Sequence, residues 1–244
     1  MQTEPIFGIR AVIEAISAGK EIEKVLIKNG SQGELITELL QHIHKHKVSF
    51  QYVPLERLSK YSKGNHQGVI ALVSPIIYQD IEQVINKVLK SGKDPLVLVI
   101  DHVTDVRNFG AMARTAECTG VDAILVAEKG AAQVNSDAIK TSAGALLSIP
   151  VCRAKSMMKA VTFLKQSGLQ IVAATEKAES SIYQADLTGP MALVLGSEDR
   201  GISPDMLKLT DLEVRIPLLG EIASLNVSVA AGVILYEAQR QKTV

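Results

Sequence analysis

Three short segments carry the polar side chains best placed to do chemistry. The first reads Asn108-Phe109-Gly110-Ala111-Met112-Ala113-Arg114-Thr115-Ala116. The second is Leu195-Gly196-Ser197-Glu198-Asp199-Arg200-Gly201. The third is Ile216-Pro217-Leu218-Leu219-Gly220-Glu221-Ile222-Ala223-Ser224-Leu225-Asn226-Val227-Ser228. Amides, hydroxyls, a carboxylate and a guanidinium of this kind orient a ligand and hold an anion through hydrogen bonds. Ser224, Asn226 and Ser228 fall at the start of an apolar run from Leu225 to Leu235, which reads as a buried helix. Small polar residues there cap a helix, and they equally suit one that opens toward a ligand or a partner loop.

These segments need elements to position them. Leu96–Ile100, Ala123–Val126, Ser148–Val151, Gln170–Ala174, Met191–Leu195 and Leu212–Ile216 are short β-rich runs, most of them separated by helical stretches. Near-continuous apolar strands in that alternation predict a parallel sheet covered on both faces. Ligands of such sheets bind beyond the carboxyl ends of the strands. The three segments begin at such ends, after Ile100, Leu195 and Ile216, so they are expected to form one site. Asn108 is expected to cap, and Gly110 to open, the helix after the first strand. Arg114 follows in its first turns, and because helical side chains lean toward the N-terminus its guanidinium can reach the ligand side.

Generic fingerprints are missing. None of the 17 glycines stands two positions from another, which excludes G-x-G-x-x-G. Gly196–Gly201 has P-loop spacing, but Ile202 occupies the place of the phosphate-binding lysine. His42-Ile43-His44-Lys45-His46 has no Cys or acidic ligand beside it and reads as a solvated helix end, so no metal is expected. Asp101-His102 and Asp105 have no G-x-S-x-G elbow to accompany them.

Composition narrows the class. The 244 residues are 47% hydrophobic with a mean hydropathy of +0.18, as expected of a folded globular chain. No apolar run reaches the length of a membrane span, and Met1-Gln2-Thr3-Glu4-Pro5 is no signal peptide. Cys118 and Cys152 form no C-x-x-C or disulfide framework, sit among apolar residues and read as packing residues of a cytoplasmic protein. Lys plus Arg and Asp plus Glu number 26 each, so a nucleic-acid partner would have to use a local patch. Residues 1–75 hold 9 basic and 7 acidic side chains, and four of the five histidines lie there.

Residues 1–73 read as a small α/β domain. Gly8–Ala18 and Gly33–His46 have helical apolar spacing, Val25–Ile27, Ser49–Val53 and Val69–Val73 read as strands, and Pro54–Lys60 as a short helix. Ser74-Pro75 breaks the pattern, residues 74–94 form a linker with an amphipathic helix over Asp80–Leu89, and residues 95–244 form the second domain.

In order and spacing the three segments, N-x-G-x-x-x-R-x-A, L-G-S-E-x-x-G and I-P-x-x-G-x-x-x-S-L-N-V-S, closely resemble the motifs of the knotted SPOUT methyltransferases. The branch they resemble is that of the SpoU/TrmH RNA ribose 2′-O-methyltransferases. Ile6-Phe7-Gly8-Ile9-Arg10 and Asn65-His66-Gln67-Gly68-Val69 resemble that branch's substrate-binding domain, with Asn65–Gly68 expected as an RNA-facing loop. The resemblance implies a parallel-sheet α/β domain tied in a deep trefoil knot, a homodimer, and S-adenosylmethionine as cofactor. It implies that Arg114 engages the target ribose, that Asn108 positions the same nucleotide or holds Glu198, and that Glu198 orients Arg114 and Asn108. Ser224 and Asn226 would line the methyl-transfer end. The backbone around Leu195, Gly196, Ile216, Pro217, Leu218, Gly220 and Leu225 would wall the cofactor pocket. Because the first domain resembles those of rRNA-modifying members, the implied substrate is a guanosine of 23S rRNA. The alternatives are a tRNA ribose methyltransferase or a non-catalytic RNA-binding protein.

Overall fold

The computed structural model describes residues 5–61 and 65–243 and divides into two compact units, Met1–Ile77 and Tyr78–Val244.

The first unit is a four-stranded sheet carrying helices. Its elements are β1 (Ile6–Phe7), α1 (Ile9–Ser17), β2 (Ile22–Lys28), α2 (Glu34–Lys45), β3 (Phe50–Val53), α3 (Leu55–Ser59) and β4 (Val69–Val73). The strand order is β1-β4-β2-β3, with β4 antiparallel to both neighbours and β3 parallel to β2 at the edge. The helical spacing buries Val12, Ile13 and Ile16 of α1 with Ile36, Leu39 and Ile43 of α2, in one cluster with Val25, Ile27, Val69 and Ala71. Alternate residues Leu26, Val53 and Ile70 pack with Leu58 on the opposite face. The Asn65–Gly68 turn bonds inward. Asn65 Oδ1 accepts from Gln67 N–H, His66 Nδ1 accepts from Gly68 N–H, and Gln67 Oε1 accepts from Ile9 N–H at the start of α1.

The second unit begins before the expected boundary. The helix expected as a linker, α4 (Ile81–Lys90), lays Ile81, Val84 and Ile85 into this unit's core, because its apolar stripe needs a partner face. Then follow β5 (Leu96–Ile100), α5 (Val106–Cys118), β6 (Ala123–Ala127), α6 (Ser136–Thr141), β7 (Val151–Ala154) and α7 (Met157–Gln166). The rest is β8 (Gln170–Ala174), β9 (Ser180–Ser181), β10 (Met191–Leu195), α8 (Pro204–Leu207), β11 (Leu212–Arg215) and α9 (Val227–Thr243). The seven strands are all parallel, in the order β7-β6-β5-β10-β8-β11-β9. Val97, Val99, Ala192 and Val194 face a cluster that includes Ile85, Val161 and Leu164. Leu98, Ile100, Leu193 and Leu195 alternate to the other side, and α5 and α9 pack against each other.

Three expectations change. The strand placed at Ser148–Val151 lies at Val151–Ala154, because residues 145–147 turn in a 3₁₀ helix and Pro150 carries no N–H for a ladder. Cys118 is exposed on the solvent side of α5, whereas Cys152 is buried and its thiol is pushed up to about 12 by burial and by Asp80. α9 starts at Val227, not Leu225, and is not buried all round: Val229 and Tyr236 are 50% and 57% exposed. Among the described residues no helix is long and apolar enough to cross a membrane.

Candidate active site

Because β10 lies between β5 and β8, the chain leaving β5 and the chain leaving β10 emerge side by side, with Ile100 paired to Leu195. The connection after β5 starts with Asp101, 3% exposed, whose Oδ2 accepts from Ser203 N–H at 2.7 Å. A buried carboxylate on this backbone amide pins the loop after β10 against the end of β5. His102 Nε2 lies 3.5 Å from the other oxygen, with its own backbone at φ 59°. Asp101 and His102 therefore secure a loop.

The loop after β10 turns back on itself. Gly201 N–H donates to Ser197 O at 2.8 Å, and Ser197 Oγ accepts from Arg200 N–H. At Gly196 the two limbs are so close that a Cβ would sit 2.1 Å from the carbonyl carbon of Gly201, so only glycine is admitted there. The tight loop projects Glu198.

Asn108 does not cap α5. Asp105 does, accepting from Asn108 N–H at 2.7 Å, and Asn108 stands in the first turn with its side chain free to reach outward. Its Nδ2 donates to Glu198 Oε1 at 3.2 Å, and its Oδ1 accepts from Asn226 Nδ2 at 3.0 Å. The same Asn226 nitrogen and Val227 N–H also donate to Glu198 Oε1. Asn226 Oδ1 in turn accepts from the N–H and hydroxyl of Ser228, so Asn226 both caps α9 and completes the triangle. The three segments thus meet in one network, Asn108–Glu198–Asn226, with Glu198 and Asn226 exposed and Asn108 half-buried.

A cleft of about 350 Å³ opens beside this network. Of the expected wall residues, Leu195, Gly196, Ile216, Leu218 and Leu225 line it, as do Glu198 and Ser224. Pro217 and Gly220 do not, nor do Asn108, Asn226 and Arg114. Arg114 lies later in α5 than expected of a loop-facing residue; it is exposed and its side chain has no hydrogen bond or ion pair with any described residue. Gly110 serves packing: a Cβ there would meet Thr141 Cβ at 2.8 Å and Ala138 O at 2.9 Å, where α6 crosses α5.

Sequence reasoning missed Ala174, Thr175, Glu176 and Lys177, which line the cleft from the end of β8. They follow a strand's carboxyl end just as the three segments do, so the same rule could have found them. Ile202, Leu207, Val214 and Ile234 supply apolar wall. The backbone of residues 217–225 makes no hydrogen bond with any described residue, and four of these residues, Leu218, Ala223, Ser224 and Leu225, line the cleft.

Comparison with known proteins agrees with this architecture. Residues 95–236 match the SpoU rRNA methylase family, and residues 5–79 match the RNA 2′-O ribose methyltransferase substrate-binding family. A protein of Staphylococcus epidermidis assigned to the TrmH family of tRNA/rRNA methyltransferases is 34% identical over 99% of this chain and 97% of its own. The SpoU methyltransferase AviRb of Streptomyces viridochromogenes, solved with AdoMet, superposes with a TM-score of 0.63. It is 25% identical over 98% of this chain and 90% of its own. An RNA 2′-O ribose methyltransferase crystal structure is 30% identical with a TM-score of 0.59, over 98% of this chain and 89% of its own. A motif match that coincides with the meeting of the three segments in space is decisive: the chain belongs to the SpoU/TrmH family of RNA methyltransferases.

Proposed function

We propose that this protein transfers a methyl group from S-adenosylmethionine to a ribose 2′-hydroxyl of RNA, and that its target is a guanosine of large-subunit ribosomal RNA. The observation that carries the reading is the joining of Asn108, Glu198 and Asn226 at the mouth of the cleft. The cleft suits the cofactor. Its open backbone groups around Leu218 and Leu225 can read the edge of an adenine, and Ile202, Leu207 and Val214 can cover an apolar ring face. When bound there, S-adenosylmethionine supplies an electrophilic methyl group on a sulfonium sulfur.

The chain's own residues supply orientation and charge. Glu198 holds the amides of Asn108 and Asn226 in fixed rotamers, so both face the incoming nucleotide. Ser224, on the cleft wall, lines the end where the ribose enters. Arg114 keeps its proton at any physiological pH, so it acts as a clamp on the phosphate beside the target ribose and not as a base. A guanidinium without a partner among the described residues is available for that task. The proton of the 2′-hydroxyl leaves through that phosphate or a water.

A homodimer and a deep trefoil knot, in which the last segment threads through an earlier loop, belong to the same reading. Leu219 is 102% and Ile222 79% exposed beside the cleft, and Val229 and Tyr236 add apolar surface on α9. That much outward apolar area on neighbouring stretches of sequence supports a second copy as its cover. Sedimentation at micromolar concentration should give twice the monomer mass.

The substrate assignment draws on the match of residues 5–79 to a substrate-binding family. Mapping methylated riboses in rRNA and tRNA from cells with and without this protein tests it. A guanosine of large-subunit rRNA should lose its methyl group. Loss confined to tRNA would replace the assignment, and no change in any RNA would remove the activity.

A further inference from the structure

The helix end His42-Ile43-His44-Lys45-His46, set aside above as a metal site, is part of an aromatic row in the first unit. The His44 ring meets Phe50 edge-on with centroids 5.7 Å apart, and Phe50 meets Tyr52 edge-on at 5.9 Å. Phe50 is half-buried against the α1–α2 core and fixes the row. His44 is exposed at one end and Tyr52, 43% exposed, at the other. Phe50 and Tyr52 lie on β3, the edge strand of its sheet, and His44 in the last turn of α2.

Its charge is one-sided. From Leu39 to Leu55 there is no Asp or Glu, while Lys45 and Lys47, both exposed, lie in the chain between His44 and Phe50. In a chain with equal numbers of acidic and basic side chains, such an acid-free stretch supplies local positive charge of the kind an anion needs. Exposed aromatic faces flanked by lysines fit a polymer that alternates flat π surfaces with phosphates. A duplex keeps its bases stacked and would use only the lysines. The Asn65–Gly68 turn is a weaker candidate, since one acceptor of each of Asn65, His66 and Gln67 is engaged in holding the turn and the start of α1.

We propose that the His44–Phe50–Tyr52 row, with Lys45 and Lys47, is where the first unit holds an unstacked single-stranded segment of the RNA, a base stacking on Tyr52 and phosphates meeting the two lysines. This rests on the RNA-methyltransferase reading above and adds the surface and the form of RNA that it takes.

The test uses the full chain, a fluorescein-labelled single-stranded oligoribonucleotide of mixed sequence, and the same strand annealed to its complement. Anisotropy should show tighter binding of the single strand. Tyr52→Ala and Tyr52→Leu should each weaken it about 5-fold or more, the latter keeping apolar packing, while Tyr52→Phe stays within about 2-fold. Lys45→Ala with Lys47→Ala should flatten the log–log salt slope by about 1.4. S-adenosylmethionine affinity should be the same in all variants. If the wild type binds the methyl donor and methylates rRNA but Tyr52→Leu leaves single-strand affinity unchanged, this surface is wrong and the enzymatic reading stands. Equal affinity for duplex and single strand also overturns it. A wild type that neither binds the donor nor methylates RNA removes both.

Discussion

Asn226 Nδ2 lies 3.0 Å from Asn108 Oδ1, although 118 residues separate them in the chain. Neither amide is held by its own helix alone; Glu198 Oε1 accepts from both and from Val227 N–H. One carboxylate oxygen therefore sets two amide rotamers and the start of α9. Glu198→Gln keeps the shape but replaces a charged acceptor by a neutral amide, which must also turn the correct end toward its donors. Methylation by this variant should fall at least about 10-fold in single-turnover rate, the size expected when a charge-assisted hydrogen bond is weakened. Donor affinity should stay within a few-fold, since the cleft walls are unchanged. Calorimetry alongside rapid-quench kinetics separates the two; equal loss in both would place Glu198 in donor binding.

Arg114 offers the opposite signature. It has no partner among the described side chains and does not line the cleft. Arg114→Ala should thus leave thermal stability and donor affinity nearly untouched while abolishing methylation. Arg114→Lys should restore little, because a point charge does not reproduce the planar fork on a phosphate. A folded Arg114→Ala protein that no longer binds the donor would show that the guanidinium belongs to the cofactor and not to the RNA.

Gly196 tests the architecture beneath the site. The Cβ of Gly196→Ala would meet the backbone of Gly201 and Ile202 at 2.1–2.3 Å, and backbone cannot move aside as a side-chain tip can. The loop carrying Glu198 must open, at a cost of about 3 kcal/mol or more. A drop in Tm of at least about 6 °C should follow, together with loss of donor binding. Gly220, with open space around it, is the control: Gly220→Ala should change stability little.

The strands of the second unit are legible because burial on both faces gives unbroken apolar runs: Leu96–Ile100, Gln170–Ala174 and Met191–Leu195 fall where periodicity places them. Convergence of the three polar segments also follows from sequence, since each trails a strand of one parallel sheet. The sequence is silent on β1 and β9, two-residue strands too short to have a period. It misassigns Asn108, because Asp105 and Asn108 are both good caps and only the fold chooses between them. It misses Thr175–Lys177, although they too trail a strand of the same sheet, since their mixed polar side chains form no motif that draws attention to them. Cys118 reads as core from its neighbours Ala116 and Val121, yet its place on α5 turns it to solvent.

Glu237 gives stability a defined dependence on pH. It is 7% exposed, and Arg240 pairs with it through Nε at 2.9 Å and Nη2 at 2.8 Å, with Gln241 Nε2 at 2.9 Å. Gln241 carries the connection on, accepting from Leu187 N–H and donating to Ala185 O. The hydrogen bonds from Arg240 and Gln241 lower the Glu237 carboxyl from 4.5 to about 2. A carboxylate lowered on folding stabilises the native state fully above its unfolded value, and this contribution is lost as pH falls from about 4.5 through about 2. Glu237→Gln should therefore lower Tm at pH 7 and flatten the decline of Tm between pH 4.5 and 2. An unchanged slope across that interval would mean that the pair is no stronger than an exposed one.

A truncation tests whether the two units divide the work between recognition and methyl transfer. The first has its own clusters around Leu39 and Leu58; the second has a core that already includes α4. Asn108, Glu198, Asn226 and every residue lining the cleft lie after Tyr78. A fragment beginning at Pro75 retains α4 whole and should fold with a cooperative thermal transition, form the dimer and bind S-adenosylmethionine with the affinity of the full chain. Its methylation of ribosomal RNA should fall at least about 10-fold through a raised KM, because the lost unit carries the aromatic row and the two lysines, whose stacking and phosphate contacts are worth that much. Adding residues 1–77 as a separate chain should not restore the rate, since recognition then lacks the effective concentration that the covalent link provides. A folded fragment that methylates the same ribose with the KM of the full chain would make the first unit a stabilising appendage instead of the element that recognises the substrate.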